Sequence, residues 1–266
     1  MNTIFNVEEI KRNCEDFFAL YDIQKYNRQD MIQAKVIHTR AVAANCLKIA
    51  KSLGLSQYDC DLAWIIGELH DFARFGQIRV TGNFRDSDKY NHAKIGAKLL
   101  FGYSMIEDII LNWNEVNAED KIILEKAIYH HSDFKLPDNL TERERMFCEI
   151  VREADQIDIF RTITTSDWKT IYGHTKDEIL SSDISEEILA AFPRQELANY
   201  SKRVTYADYH LAHIAISFGL KSDAAKKRVK EQGYLYQMMD IEFKKPESQE
   251  KYEYAKMYVE EFLRGA

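Results

Sequence analysis

Four residues in the first 155 positions carry the side chains of a transition-metal site. They are His38, the adjacent pair His70 and Asp71, and Asp155. Imidazole nitrogens and carboxylate oxygens together suit Mn, Fe, Co, Ni or Zn, and such donor sets usually leave coordination positions open for water or a substrate. Their types and order therefore predict a metal centre that performs chemistry, with one or two divalent ions as the cofactor.

Three further histidines, which leave room for a second ion, lie between the second and the last of these ligands. They are His92, His130 and His131. His130 continues an apolar stripe of the helix predicted over 119–131, and the adjacent His131 points about 100° away from it. His92 and His130 are therefore favoured over His131 as contacts to a metal or a phosphate.

Helices must bring these ligands together. In the segment 28–53, apolar residues recur every three or four positions in phase with His38, which places this histidine on the inward face of a helix. The segment 61–69 (DLAWIIGEL) is apolar all round and should be a buried helix that ends at the His-Asp pair. In the helix predicted over 142–161, Asp155 flanks the apolar stripe. A buried carboxylate at such a place needs a partner, and a metal ion is one candidate.

The composition predicts an all-α protein. Only 10 glycines and 3 prolines interrupt 266 residues, of which 45% are hydrophobic, and helix-forming residues such as Ala, Leu, Glu and Lys are plentiful. A chain of this length can bury one large core, and we expect a single domain over 1–266. Within it, the metal-binding core should cover about 30–165 and a helical C-terminal extension about 166–266.

Charge and hydropathy argue against several classes of partner. The net charge of −7 gives no electrostatic footprint for duplex nucleic acid. The N-terminal sequence lacks the apolar core of a signal peptide, and no window of about 18 apolar residues could span a membrane. We therefore expect a cytoplasmic protein that binds neither duplex nucleic acid nor a membrane. The sequence leaves its oligomeric state open.

Two other sets of possible ligands lack the pattern of a metal site. The four cysteines are far apart and form no CxxC pair, which is typical of reduced, buried thiols. His210 and His213 have the i, i+3 spacing that permits joint ligation on a helix, but no arrangement of carboxylates accompanies them. Neither set is expected to bind a metal.

Three charged side chains near the ligands are candidates for catalysis or substrate binding. Arg74 follows Asp71 by three residues and could clamp a phosphate through its paired guanidinium donors. Lys94 could add a point charge, although a surface lysine is an equally good interpretation. Glu68 could act as a general base beside the catalytic Asp71, although a glutamate on the helix surface is the more ordinary explanation.

The ligand pattern resembles that of the HD-domain superfamily of metal-dependent phosphohydrolases. The similarity covers about 30–165, with the His-Asp pair in the context GELHDFARFGQ and the last ligand in the context VREADQIDIFR. The resemblance implies a first ion held by the four residues of this pattern, His38, His70, Asp71 and Asp155. It also implies a second ion that Asp71 bridges and that three histidines hold, His92, His130 and His131.

The resemblance implies a function as well. It points to a phosphomonoesterase or phosphodiesterase that uses metal-activated water on a small phosphorylated molecule, with a nucleotide as the expected substrate. The chain lacks the Gly-Tyr-Pro motif of the cyclic-dinucleotide phosphodiesterases, which argues against that activity. Some members of the superfamily with the fuller histidine set are di-iron oxygenases, and Fe accepts the same donors. A non-catalytic sensor or binding module is a further alternative, disfavoured because every ligand of the motif is present.

Overall fold

The protein is helical in every regular part that can be described. The structure is a computed structural model that describes residues 4–20, 29–87 and 89–264. No β-strand occurs among these residues, which confirms the predicted all-α class. The chain forms two compact units, Met1–Asp155 and Gln156–Ala266, and their boundary lies inside a long helix. The interpretation of 1–266 as a single domain stays a prediction.

The first unit contains the helices that carry the candidate ligands. Its α-helices are α1 (Val7–Ala19), α2 (Gln29–Ser52), α3 (Gln57–Leu69), α4 (Phe72–Thr81), α5 (His92–Ala97), α6 (Ile106–Ile109), α7 (Ala118–His130) and the first part of α8 (Glu142–Thr165). A π-helix (Lys98–Gly102) continues α5, and a 3₁₀ turn (Trp113–Glu115) precedes α7. The helix predicted over 28–53 is α2, and residue 28 lies outside the described residues.

The second unit consists of shorter helices and one long C-terminal helix. After the end of α8 it contains α9 (Trp168–Tyr172), α10 (Lys176–Leu180), α11 (Glu186–Leu189), α12 (Tyr206–Ile214), α13 (Asp223–Gln232), α14 (Tyr234–Met239) and α15 (Pro246–Arg264), with 3₁₀ turns at Tyr200–Lys202 and Ala215–Gly219. In the described part of the chain, no helix has both the length and the apolar character needed to cross a membrane.

Helices α2 and α3 pack closely because α3 has a glycine at their contact. A Cβ atom on Gly67 would lie 2.7 Å from Cα of Ala43 and 2.9 Å from Sγ of Cys46, so a larger side chain would push the helices apart. The ring centroids of His38 on α2 and His70 after α3 are 5.4 Å apart. The close helix packing thus brings two candidate ligands together.

The His-Asp pair lies where α3 ends and α4 begins. His70 is the C-cap of α3 and keeps helical dihedral angles (φ −54°, ψ −37°). Asp71 leaves the helical region (φ −104°, ψ 22°) and precedes α4 without capping it through its side chain. Because the carboxylate of Asp71 is not used as a helix cap, it is available to other partners.

Candidate metal centre

The carboxylate of Asp71 lies among buried imidazole rings and belongs to two groups of possible metal ligands. His38, His70 and Asp71 form one group, and Asp71, His92 and His131 form the other. Within each group, the ligand atoms lie within 4.8 Å of one another. All five residues are buried. One carboxylate can therefore serve two sets of histidines.

The first group surrounds Oδ2 of Asp71. Nε2 of His70 lies 3.1 Å and Nε2 of His38 lies 3.4 Å from this oxygen. Nε2 of His38 also lies 3.2 Å from Oδ1 of Asp155 on α8. The structure thus brings His38, His70 and Asp71 together. Asp155 contacts His38 but lies outside both groups of ligand atoms.

The second group surrounds the other oxygen of the same carboxylate. Nε2 of His92, at the start of α5, lies 3.3 Å from Oδ1 of Asp71, and Nε2 of His131, at the end of α7, lies 3.7 Å from it. The two Nε2 atoms are 2.9 Å apart. Asp71 therefore has the geometry of a carboxylate that can bridge two cations.

Backbone carbonyls orient two of the rings. Nδ1–H of His70 donates to the carbonyl of Gly67 at 2.7 Å, and Nδ1–H of His131 donates to that of Ile128 at 2.7 Å. A carbonyl oxygen can only accept, so Nδ1 carries the proton of each neutral ring and Nε2 carries the lone pair. Both rings therefore present Nε2, the ligating atom, to Asp71.

The ring of His92 is oriented by a carboxylate that sequence reasoning missed. Nδ1–H of His92 donates to Oδ2 of Asp86 at 2.6 Å. Asp86 also accepts from Nη1 of Arg74 at 3.0 Å and from the amide of Gln77 at 3.1 Å. The pKa of Asp86 lies below its usual value. Burial acts to raise this pKa, but the hydrogen bond from His92 is among the contacts that lower it. Such carboxylate–imidazole pairs fix the orientation of a metal ligand and raise its basicity.

At neutral pH, the carboxylates of Asp71 and Asp155 are ionised and the rings of His70 and His92 are neutral. Burial opposes the charge of Asp71, but Lys35 and His70 help to hold its pKa well below its usual range. The pKa of Asp155 is also lowered, because its contact with His38 outweighs the effect of burial. Burial lowers the pKa of His70 and lowers that of His92 to about 4.

These donor atoms fit a divalent cation. Nε2 of His70 is buried without a hydrogen-bond partner, because it faces another acceptor, the carboxylate of Asp71. Nε2 of His92 faces Nε2 of His131 at 2.9 Å, while the Nδ1 protons of both rings are used elsewhere. Buried lone pairs that converge in this way need a cation among them. Imidazole and carboxylate donors suit a transition-metal ion.

A comparison with protein families agrees with this chemistry. The family model of the HD domain matches residues 36–213, about two thirds of the chain. The chain belongs to the HD-domain superfamily of metal-dependent phosphohydrolases. HD domains bind divalent metals, and the two His/Asp groups of this HD-domain chain could hold such an ion. Comparisons with curated proteins and with solved structures found no match.

Of the adjacent histidines at the end of α7, the HD-domain fold brings His131 rather than His130 to Asp71. Nδ1 of His130 lies 2.7 Å from Oδ2 of Asp133, and its side chain is 17% exposed. Adjacent residues of a helix point about 100° apart, so the two rings do not face the same carboxylate. The apolar stripe of α7 favoured His130 in the sequence, but it does not indicate which of the two rings faces Asp71. The metal role of His130 stays a prediction.

The two residues predicted to bind substrate have other partners. Nη1 of Arg74 donates to the carbonyl of Phe84 at 2.5 Å and to Asp86 at 3.0 Å, so it ties the loop after α4 to the cluster. Lys94 is exposed, and its Nζ lies 5.6 Å from the ring centroid of Tyr129. Substrate binding by Arg74 and Lys94 stays a prediction.

The side chain of Glu68 points away from the candidate metal centre and toward Arg40. Residues two apart on a helix point about 200° apart, so Glu68 and His70 lie on opposite sides of α3. Oε1 of Glu68 lies 3.2 Å from Nε of Arg40, and the side chain of Glu68 is 0% exposed. Burial raises the pKa of Glu68 to about 7, although Arg40 acts in the opposite direction. The role of Glu68 as a general base stays a prediction.

Lys35 is a member of the cluster that sequence reasoning missed. Its Nζ contacts Oδ2 of Asp71. Lys35 lies three residues before His38 on α2, and residues at this spacing share one face of a helix. The three-residue spacing between Lys35 and His38 could have identified Lys35 from the sequence.

Proposed function

We propose that this HD-domain chain is a phosphohydrolase that acts on a small phosphorylated molecule, with a nucleotide as the expected substrate, through water activated by one or two divalent transition-metal ions. Support comes from one observation above all. The two oxygens of Asp71 face two separate sets of imidazole nitrogens, and the protons of His70, His92 and His131 lie on the far side of each ring. This arrangement supports a metal site that activates water for hydrolysis.

The charges of the site favour an anionic substrate. Asp71 and Asp155 each carry one negative charge, and neutral rings such as those of His70 and His92 add none. Two divalent cations would therefore exceed the charge of these carboxylates. A phosphate ester, which is an anion, would compensate that excess.

The residues of this chain would act mainly by holding and orienting. Bound divalent ions lower the pKa of a coordinated water from about 15.7 toward about 7 and neutralise charge on a phosphoryl oxygen. His70 and His131 are held by backbone carbonyls and His92 by Asp86, so these rings need little rearrangement to bind. Asp71 stays ionised at neutral pH. Such preorganised donors supply the positioning on which hydrolysis depends.

A hydrolysis panel tests the proposal. The protein, stripped of metal and then reloaded with Mn²⁺, Fe²⁺, Co²⁺, Ni²⁺ or Zn²⁺, is assayed for release of phosphate or of an alcohol product from nucleoside monophosphates, small phosphomonoesters and phosphodiesters. Each assay is run with and without oxygen. We expect metal-dependent hydrolysis that is independent of oxygen.

Two other outcomes would contradict the proposal and indicate another function. Oxygen consumption on an organic substrate, with no phosphate ester hydrolysed, would favour a di-iron oxygenase. Binding of metal and of phosphate compounds without any turnover would favour a sensor or binding module. Relative rates on monoesters and diesters would show which class of phosphate ester the enzyme prefers.

A further inference from the structure

The ammonium group of Lys35 lies beside the carboxylate that both groups of possible metal ligands share. Its Nζ contacts Oδ2 of Asp71, and the side chain of Lys35 is 13% exposed. The ring centroid of Phe84, in the loop after α4, lies 5.5 Å from Nζ. The charge is therefore enclosed between a buried carboxylate and an aromatic ring.

Lys35 shares its carboxylate oxygen with the first ligand group. Oδ2 of Asp71 also lies 3.4 Å from Nε2 of His38 and 3.1 Å from Nε2 of His70. A cation held by that group would use the same oxygen, and it would repel the ammonium at short range. Metal binding there would therefore weaken the ion pair that compensates the charge of Lys35.

We propose that Lys35 binds the anionic group of the substrate, a phosphoryl oxygen, once a metal occupies the first ligand group. This inference rests on the proposed function. A largely buried ammonium that loses its carboxylate needs another anion, because an uncompensated buried charge is costly. Its three N–H donors suit the oxygens of a phosphate.

Arg74, the other cation at Asp71, is less suited to this task. Its Nε lies 3.4 Å from Oδ1 of Asp71, but its Nη1 is already held by Asp86 and by the carbonyl of Phe84. The carboxylate of Asp86 lies outside both groups of possible metal ligands, so a bound metal ion would leave that ion pair in place. Lys35 differs because its carboxylate partner is itself a candidate metal ligand.

The inference predicts opposite effects on the two kinds of ligand. Lys35→Gln removes a competitor for Asp71, so the variant should bind Mn²⁺ at least as tightly as the wild type. The affinity of the Mn²⁺-loaded variant for inorganic phosphate should fall about 10- to 100-fold, the usual cost of a charge-assisted contact. Lys35→Arg keeps the charge and should recover part of that affinity. Lys48→Gln, at an exposed position of the same helix, is the matched control and should change neither affinity.

Calorimetric titration measures both quantities, first Mn²⁺ into metal-free protein and then phosphate into Mn²⁺-loaded protein. The phosphate titration remains informative if metal-free Lys35→Gln is unstable, because bound Mn²⁺ compensates the charge of Asp71. Wild-type phosphate affinity in Lys35→Gln would overturn the inference, as would wild-type protein that binds no phosphate. A joint loss of Mn²⁺ and phosphate binding would also overturn it, since that result indicates a structural role. Phosphate binding that depends on Lys35 in a protein that hydrolyses no ester would instead contradict the proposed function alone.

Discussion

Two sets of buried histidines occur in this chain, and their surroundings differ. In the first unit, rings converge on the carboxylate of Asp71. In the second unit, His210 is stacked on Trp168 with centroids 4.7 Å apart, its Nδ1 lies 3.0 Å from the hydroxyl of Tyr172, and burial lowers its pKa to about 3. His213 donates from Nδ1 to the carbonyl of Tyr209 at 2.9 Å.

The comparison indicates what separates a candidate metal site from a histidine in a core. Nε2 of both His70 and His210 is buried without a hydrogen-bond partner, so an unpaired nitrogen does not distinguish them. The difference is the carboxylate. Asp208, two residues before His210 in the sequence, accepts instead from Ser185 and caps the start of α12. Among the described residues, each group of three or more possible metal ligands whose atoms lie within 4.8 Å of one another contains Asp71.

Loss of Asp71 should have the largest effect, because this residue belongs to both ligand groups. We expect Asp71→Ala to lose bound metal and to reduce hydrolysis by at least about 1,000-fold, or about 4 kcal/mol of transition-state stabilisation. Metal analysis and kcat/KM measure the two effects. His210→Phe is the control from the second unit and should keep the metal content of the wild type. Metal retained by Asp71→Ala, or lost by His210→Phe, would remove the distinction between the two sets of histidines.

The histidines at the end of α7 sharpen the comparison within the first unit. His131→Ala should weaken metal binding more than about 100-fold, since loss of a ligand exceeds the effect of losing an outer partner. His130→Ala should retain wild-type affinity, because this ring pairs with Asp133. Titration with Mn²⁺ measures both variants. The reverse result would support the sequence-based preference for His130.

Asp86 should have a smaller effect, because it acts on the metal through His92. Asp86→Asn should lower metal affinity by about 10- to 100-fold, the usual range for the outer partner of a ligating histidine. Asp133→Asn is the matched control, since Asp133 holds His130, a histidine outside both groups. A selective loss in Asp86→Asn supports an orienting role. Equal affinities in the two variants would show that the contact between Asp86 and His92 is dispensable.

Glu68 should have the smallest effect on activity. We expect Glu68→Gln to keep the rate of hydrolysis within about threefold of the wild type. The reason is that Glu68 faces Arg40 rather than the candidate metal ligands around Asp71. Arg40 also contacts Glu15, at 3.1 Å, and so keeps a carboxylate partner. A loss of 100-fold or more, the usual contribution of a general acid or base, would restore the catalytic interpretation of Glu68.

Titration of Glu68 should make the free energy of unfolding of the wild type fall as the pH rises, and Glu68→Gln tests this. The pKa of Glu68 is raised from 4.5 to about 7 in the folded protein, so the folded state binds more protons between these values. Glu68 therefore stabilises the fold at low pH, and this contribution is lost as the pH rises from about 4.5 to about 7, by up to about 3 kcal/mol. Denaturant unfolding across this range should show a smaller decline for Glu68→Gln. Identical slopes would exclude this titration.

Part of the site could be predicted because it depends on helix periodicity. The phase of the apolar residues around His38 and the apolar helix that ends at His70 indicate where these side chains point. The contact between Asp86 and His92 depends on the conformation of the loop after α4. This loop has no periodic pattern of apolar residues, so the sequence does not predict the contact. The choice between His130 and His131 depends on a 100° difference at the end of a helix, where sequence patterns are least reliable.

Anomalous diffraction from crystals grown with Mn²⁺ would test the central claim most directly, because it places the ion among named atoms. We predict a Mn²⁺ peak in the group of His38, His70 and Asp71 and, where a second ion binds, another in the group of Asp71, His92 and His131, about 3.5–4 Å from the first. No peak in either group at saturating Mn²⁺, or a peak beside His210 instead, would contradict the assignment of Asp71 as the shared ligand of the metal centre.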